Sequence, residues 1–171
     1  MVHIYCGDGK GKTTAAMGLA LRCAGSGRRA LVLQFLKDGS SSELAPLSRT
    51  EGAEVVPQTR AFGFTWTLSP EKREEAGIYY SGLLETAWEK AAAGGYGLLV
   101  LDEALGACAA GLIDEGRLLA LLDSAPEGLE VVLTGRGPSQ ALLDRADYVT
   151  EMRKVKHPFD RGVAARRGVE Y

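Results

Sequence analysis

The sequence predicts an α/β fold with a mostly parallel central sheet flanked by helices. Short apolar runs rich in Val, Leu and Ile alternate along the chain with stretches whose apolar residues recur every three or four positions. Polar or glycine-rich clusters follow several of the apolar runs, as is typical of strands whose carboxyl ends meet at one edge of a sheet. The chain has 171 residues, the length of one ordinary domain, so we expect a single domain over residues 1–171.

The order of the predicted elements supports parallel pairing. The predicted strands are residues 2–6, 28–35, 53–57, 96–103, 129–135 and 148–152. The predicted helices are residues 15–25, 70–92, 114–122 and 138–145. The second helix has a helix-start signal, with Ser69 as its cap and Pro70 in its first turn. The serine-rich residues 37–50 predict a loop, and residues 58–68 and 153–171 are expected to be irregular.

Composition excludes several classes of protein. Lys and Arg number 20 and Asp and Glu 22, so the net charge of −2 argues against a general nucleic-acid binder. The three cysteines lack CxxC spacing, which argues against a disulfide framework or a zinc site. The amino terminus has no signal-peptide pattern, and no apolar run approaches the roughly 18–20 residues that span a bilayer. We therefore expect a cytoplasmic protein with no nucleic-acid or membrane partner.

A glycine-rich loop, here called the P-loop, follows the first predicted strand. Its residues are Gly7, Asp8, Gly9, Lys10, Gly11, Lys12, Thr13 and Thr14. The pattern G-x-x-x-x-G-K-[ST] fits its second half, whereas the first position falls on Cys6, and the two earlier glycines can supply the same turn. Backbone N–H groups would bind phosphate, Lys12 would reach the distal phosphates, and the Thr13 hydroxyl would hold Mg²⁺. The loop thus predicts a P-loop NTPase-like domain that binds a nucleoside triphosphate.

Charged residues follow two further predicted strands. Asp102 and Glu103 end a buried apolar run, the pattern that places a carboxylate beside the magnesium of a P-loop. Adjacent residues at a strand end face different sides, so one of the two carboxylates is expected to reach the metal directly. Arg136 follows the next buried strand and could bind triphosphate oxygens in a bidentate way.

Three reactions are compatible with a triphosphate site. The protein could be a small-molecule kinase, an ATP-dependent switch or binding protein, or a transferase of the adenosyl group. No arginine-rich lid insertion of the kind expected in a kinase is found. Phe64 and Trp66 stand at positions i and i+2 of an expected extended segment, so their rings should face the same side. Together they predict an apolar platform for a large flat ligand.

Five segments carry a family resemblance. In order, they read CGDGKGKTTAA, GFTW, LDE, TGRG, and VKHPFDRGV with a closing GVEY. Their order and spacing, from about residue 2 to residue 171, resemble the P-loop corrinoid adenosyltransferases. The resemblance implies transfer of the 5′-deoxyadenosyl group of ATP to the Co(I) centre of a reduced corrinoid. Triphosphate would be released, and the reaction would serve adenosylcobalamin biosynthesis or salvage.

The resemblance also implies roles for the phosphate and metal residues. Residues 7–14 would bind the triphosphate, with Lys12 neutralising the leaving group. Thr13 and Glu103 would bind Mg²⁺ or Mn²⁺, with Asp102 beside them. Arg136 would bind phosphate oxygens.

The corrinoid side of the site follows from the same resemblance. Phe64 and Trp66 would pack against the lower face of the corrin ring and displace its axial base, which eases reduction to Co(I). A homodimer and a flavoprotein or flavodoxin-type reductant are implied as partners. The chain starts at its first strand, whereas many relatives have an N-terminal arm over the active site, so we expect a different closure. No catalytic role is carried over to His157, whose loop is stiffened by Pro158.

Overall fold

The chain folds around one six-stranded sheet in a computed structural model that describes residues 1–170. The strands are β1 (Val2–Cys6), β2 (Arg29–Gln34), β3 (Ala53–Val55), β4 (Tyr96–Asp102), β5 (Glu130–Thr134) and β6 (Tyr148–Glu151). The helices are α1 (Lys12–Gly25), α2 (Leu44–Leu47), α3 (Pro70–Ala93), α4 (Ala104–Ala109), α5 (Glu115–Asp123) and α6 (Gln140–Arg145). Two short 3₁₀ helices cover Thr65–Thr67 and Pro158–Arg161.

The strand order is β3-β2-β4-β5-β1-β6, and every pairing is parallel. This confirms the predicted α/β fold with a parallel central sheet. Strands β2 to β5 all lie on one side of β1 in this order, whereas β6 pairs with the other edge of β1. Such a reversal opens a crevice at the carboxyl ends of the strands, where open α/β sheets bind their ligands. The P-loop begins at this crevice.

Alternate residues of the central strands pack into two apolar layers, one on each face of the sheet. In β4, Leu99 and Leu101 pack with the residues of α3, α4 and α5, whereas Leu98 and Val100 pack with α1 on the opposite face. The period of two is that of a strand covered on both sides. Truncating one of these buried leucines to alanine is expected to cost about 2–5 kcal/mol of stability. The two layers hold the sheet edge that carries the site.

The two longest helices begin at recognisable signals. The predicted cap of α3 is confirmed, because the Ser69 hydroxyl accepts a hydrogen bond of 3.3 Å from the Lys72 N–H. The helix α1 begins at Lys12, three residues before its predicted start, directly after Gly11 in the left-handed region at φ 113°. The P-loop lysine and threonines therefore form the first turn of α1. Among residues 1–170, no helix combines the length and hydropathy needed to cross a bilayer.

Two helices were not predicted. The prediction of a loop throughout residues 37–50 is wrong at α2, a single turn whose Leu47 is buried against the sheet. The helix α4 lies where no element was predicted, and it packs so closely under the end of β5 that a Cβ at Gly135 would stand 2.7 Å from the Leu105 Cβ. Glycine is required at position 135 for this contact, and its φ of 144° also disfavours other residues.

Candidate functional site

The P-loop is curled around its own lysine. Gly7 and Gly11 adopt φ values of 101° and 113°, which residues with a Cβ rarely reach. The Lys12 side chain is buried, and its Nζ donates a hydrogen bond of 2.8 Å to the Gly9 carbonyl oxygen. Burial lowers the pKa of Lys12, and the positive charge of Arg136 lowers it further. Two predicted cations of the phosphate site thus lie close enough to repel each other, an arrangement that favours a bound anion.

The chain after β6 lies directly behind the P-loop. The Gly9 N–H donates a hydrogen bond of 2.6 Å to the Met152 carbonyl oxygen, and the Met152 N–H donates one of 2.8 Å to the Cys6 carbonyl oxygen. A Cβ on Gly7 or on Gly9 would come within 2.5 Å of the Met152 carbonyl oxygen. Glycine at these positions therefore allows the close passage of a neighbouring backbone in addition to the predicted approach of phosphate. No motif in the sequence predicts the contact between the P-loop and the Met152 backbone.

Asp8 fixes the same neighbouring segment. Its exposed carboxylate accepts a hydrogen bond of 2.9 Å from the Lys154 N–H, and this bond is the main cause that lowers the pKa of Asp8. A carboxylate would repel phosphate, so a phosphate contact at this position falls to the backbone N–H group. The side chain of Asp8 serves to attach the chain after β6 to the loop.

Asp102 is fully buried and accepts three hydrogen bonds. Its Oδ1 accepts from the Thr134 hydroxyl at 2.7 Å, and its Oδ2 accepts from Gln34 Nε2 at 3.0 Å and from Lys37 Nζ at 2.8 Å. The Thr134 hydroxyl also accepts from the Glu103 N–H at 2.9 Å. The three donors to Asp102, which are Thr134, Gln34 and Lys37, were assigned no role from the sequence. Since Gln34 stands opposite Asp102 in the pairing of β2 with β4, the parallel register was the signal that could have found it.

Glu103 adopts a strained backbone conformation beside Asp102. Its φ of 60° lies in the left-handed region, which costs a residue with a Cβ roughly 1–2 kcal/mol. Burial raises the pKa of its carboxyl group, and the adjacent charge of Asp102 raises it further. Strain and a perturbed carboxyl group often mark functional sites.

The Lys37 side chain links Thr13 to the carboxylate of Asp102. The Lys37 ammonium lies 2.8 Å from Asp102 Oδ2 and 3.5 Å from the Thr13 hydroxyl, so a positive charge stands between two of the predicted metal ligands. Within residues 1–170, no group of three or more His, Cys, Asp or Glu could hold a metal ion by itself. Magnesium in nucleotide sites commonly uses one or two carboxylates and completes its shell with phosphates and water. The donor set suits such a shared site.

A cavity of about 1100 Å³ adjoins the P-loop. Its wall includes Lys10, Thr13 and Thr14 of the P-loop, together with Lys37. The wall also includes Phe62, Phe64 and residues 168–170. Among the described residues, this wall does not include Lys12, Asp102, Glu103 or Arg136. The cavity therefore lies between the threonines of the P-loop and the segment that contains Phe62 and Phe64, and Trp66 is not part of its wall.

Phe64 and Trp66 form a stacked and exposed pair. Their ring centroids are 4.6 Å apart with an interplanar angle of 16°, and the residues are 65% and 76% exposed. The prediction of an extended segment is wrong at Trp66, which lies in the 3₁₀ helix Thr65–Thr67. The rings nevertheless share one side. Two large apolar rings that stack on each other in solvent form a candidate ligand surface.

His157 has a structural partner. Its Nδ1 accepts a hydrogen bond of 3.1 Å from the Phe159 N–H, so the imidazole caps the 3₁₀ helix Pro158–Arg161. Lys154 closes the same turn through an ion pair of 2.9 Å with Asp160. This arrangement accounts for the histidine before proline without any catalytic role.

Comparison with known proteins decides the family. The family model described as ATP:corrinoid adenosyltransferase BtuR/CobO/CobP matches residues 1–171. The chain belongs to this family. It is 36% identical to the corrinoid adenosyltransferase of Pseudomonas aeruginosa PAO1, over 98% of this chain and 82% of that protein. It is 34% identical to corrinoid adenosyltransferase CobA of Salmonella typhimurium LT2, over 100% of this chain and 85% of that protein.

Membership in the ATP:corrinoid adenosyltransferase family defines the activity at a coarse level. The chain is a transferase with ATP and a corrinoid as substrates. The alternatives of a small-molecule kinase and of an ATP-dependent switch are not favoured. Among solved structures, ATPases 2 and 3 of Thermomonospora curvata EccC match 93% of this chain and 32% of that chain, at a TM-score of 0.51 and 18% identity. This likeness supports the P-loop NTPase-like fold alone.

Proposed function

We propose that the P-loop edge of the sheet binds the triphosphate of ATP and that the adjoining cavity and aromatic pair hold the corrinoid. The observation that carries the proposal is the cavity itself, whose wall contains both Thr13 of the P-loop and Phe64 of the exposed pair. A nucleotide bound at Thr13 would extend its sugar into a space bounded by an aromatic surface. That is the arrangement needed to bring a ribose carbon close to a flat macrocycle.

The transfer step needs positioning and neutralisation of charge. The electron pair of Co(I) forms the Co–C bond to the 5′ carbon of ATP, the C5′–O bond breaks, and triphosphate leaves with that bonding pair. No proton moves in this step, so no general base is required. Holding the two reactants in line can contribute roughly 7–11 kcal/mol. Lys12 and Arg136 would stabilise the negative charge that develops on the leaving triphosphate.

Thr13, Asp102 and Glu103 are the proposed metal residues. The geometry around Lys37 supports the fit, because a cation already lies between the Thr13 hydroxyl and Asp102 Oδ2. Mg²⁺ or Mn²⁺, when bound, would supply further positive charge to the triphosphate. Glu103 lies next to this position and has a raised pKa, so a nearby divalent cation would favour its ionised form.

The partners and setting are proposed from the family. We infer a flavoprotein or flavodoxin-type reductant that delivers the electron to the corrinoid, a homodimer, and action in the cytoplasm within adenosylcobalamin biosynthesis or salvage. Residues 1–171 would act as one domain. Phe64 and Trp66 would assist the reductant by excluding the axial base of the corrinoid.

One assay distinguishes the three reactions. The protein is mixed with ATP, Mg²⁺ and chemically reduced cobalamin, and the corrinoid spectrum and the released phosphate species are followed. Adenosylcobalamin and triphosphate are expected. ADP would instead indicate a kinase or ATPase, and binding without turnover would indicate a switch or carrier. Lys12→Ala should lose ATP binding by calorimetry, and retained affinity would remove the P-loop from the proposal.

A further inference from the structure

Lys37 supplies a positive charge to the buried carboxylate of Asp102. Asp102 is 0% exposed, and the Lys37 side chain is 27% exposed. The other two donors to this carboxylate, Thr134 and Gln34, are neutral. A buried carboxylate is strongly disfavoured unless an opposite charge or a set of hydrogen bonds compensates it. Lys37 therefore completes the compensation that the two neutral donors begin.

The backbone of residues 34–36 positions Lys37 for its contact with Asp102. Beyond the paired residues Gln34 and Asp102, the Phe35 N–H still donates a hydrogen bond of 2.8 Å to the Asp102 carbonyl oxygen. The next residue, Leu36, has a φ of 58°, a value that a branched residue rarely adopts outside functional or tightly constrained turns. Leu36 is packed against the core, which holds this turn in place. The turn brings Lys37 back over the sheet edge to Asp102.

A second observation points to a ligand at the same cluster. Gln34 is 2% exposed, and among the described residues its Oε1 has no hydrogen-bond partner, although its Nε2 donates to Asp102 Oδ2. Buried acceptors without a partner are rare in folded proteins and call for an explanation. A water molecule of a metal shell is a donor of the size and chemistry that this acceptor needs.

We propose that Lys37 is a resident counter-ion of the metal site. Its ammonium holds the position between Thr13 and Asp102 until a divalent cation that arrives with the nucleotide displaces it. The inference rests on the proposed role of Thr13 and Asp102 as metal residues. Without nucleotide, a metal ion would have to expel the ammonium and would gain no phosphate ligands. With nucleotide, the phosphates supply ligands to the metal and a new anion for the ammonium.

The test measures metal binding without nucleotide. Mn²⁺ is titrated into the nucleotide-free full chain, and the free ion is followed by electron paramagnetic resonance. Lys37→Met keeps the length and removes the charge, so it should bind Mn²⁺ about tenfold more tightly than the unchanged protein, since a like charge is removed at close range. Lys72→Met, which removes an exposed lysine on the first turn of α3, is the matched control and should leave the affinity unchanged.

Two further variants separate the possible failures. Equal or weaker Mn²⁺ binding by Lys37→Met, with folding verified by circular dichroism, would overturn the counter-ion role. If that variant does not fold, Lys37→Gln replaces it with the same expected direction. Asp102→Asn should weaken Mn²⁺ binding in the presence of ATP and abolish the gain of Lys37→Met. If Asp102→Asn has no effect with ATP, the proposed metal residue itself is wrong. If it has its effect and Lys37→Met shows no gain, only the counter-ion inference fails.

Discussion

The guanidinium of Arg73 donates a hydrogen bond of 3.0 Å to the carbonyl oxygen of Thr65, the residue between Phe64 and Trp66. The same guanidinium donates a hydrogen bond of 2.6 Å to the Ala110 carbonyl oxygen, just after α4. Arg73 is part of α3, so its side chain ties the exposed aromatic pair to two helices of the fold. A segment with few buried contacts of its own thereby acquires a defined position.

Arg73→Ala should loosen the aromatic pair without affecting the nucleotide. We expect an unchanged ATP affinity by calorimetry, a raised KM for the corrinoid, and a loss of about 1–3 kcal/mol in the free energy of unfolding, because two carbonyl groups lose their donor. Arg73→Lys should recover part of the corrinoid affinity, since an ammonium can still donate. Lys72→Ala removes the exposed neighbouring side chain as a control. An unchanged KM for the corrinoid in Arg73→Ala would show that the bond to Thr65 does not position the pair.

Replacing both aromatic residues should separate ATP binding from reduction of the corrinoid. The double variant Phe64→Ala with Trp66→Ala is expected to keep its ATP affinity, because the proposed triphosphate contacts come from residues 7–14 and Arg136 and not from the two rings. With a flavodoxin-type reductant, conversion should be lost, because the rings would no longer exclude the axial base. Rates are compared between that reductant and a strong chemical reductant. Activity equal to that of the unchanged protein with the mild reductant would exclude the proposed role of the pair.

Gly9→Ala should displace the chain behind the P-loop. Its Cβ would stand 2.5 Å from the Met152 carbonyl oxygen, so backbone must move, at a cost of about 1–3 kcal/mol in unfolding free energy. ATP affinity should fall with it, because the loop is distorted. Gly82→Ala is the control, since it lies in the interior of α3 with open space around it, and it should stabilise the protein by about 0.5–1 kcal/mol. Equal stability of the two variants would contradict the close contact at Gly9.

Tyr96 should give the protein an alkaline limit. Its hydroxyl donates to Glu54 and accepts a hydrogen bond of 2.7 Å from Arg29, and burial followed by the Glu54 interaction raises its pKa to about 12. An unfolded tyrosine ionises near pH 10, so the unfolded state loses its proton first, at about that pH. The stabilising contribution is therefore complete below about pH 10 and is lost as the pH rises toward 12.

Tyr96→Phe tests this pH dependence. Urea unfolding between pH 9 and pH 12 should show a flatter decline in stability for the variant than for the unchanged protein. Absorbance at 295 nm should show the loss of the tyrosine that ionises last. Tyr148→Phe removes an exposed tyrosine and is the control. A decline of the same slope in Tyr96→Phe would mean that other groups set the alkaline limit.

The fold could be predicted where local and global signals agree. The apolar runs became strands of one parallel sheet, and Ser69 and Pro70 marked the start of α3. The helix α4 escaped prediction because it is made mostly of small residues, which carry little periodicity. It also starts after Glu103 in a left-handed conformation instead of after a side-chain cap. Local sequence contains no sign of that backbone state.

The site could be predicted only in its motif residues. The P-loop, Asp102 and Glu103 were found because each lies at the carboxyl end of a strand. Lys37 was missed because it lies in a polar, serine-rich segment, and only the pairing of β2 with β4 brings it to Asp102. The phosphate, metal and corrinoid roles of these residues remain predictions. The aromatic pair was found from spacing, although the 3₁₀ turn that holds Trp66 was not.

The hydrogen bonds that join Cys6, Asp8 and Gly9 to the chain after β6 also bear on the order of events while the polypeptide is synthesised. Asp8 and Lys154 are 146 positions apart, so the P-loop motif is synthesised well before its supporting partner. Contacts of such high sequence separation require the closure of a long loop and are therefore slow to form. During synthesis of the protein the motif would therefore exist before this supporting contact can form. If the P-loop binds ATP as proposed, that binding would report that the chain after β6 has docked against the loop.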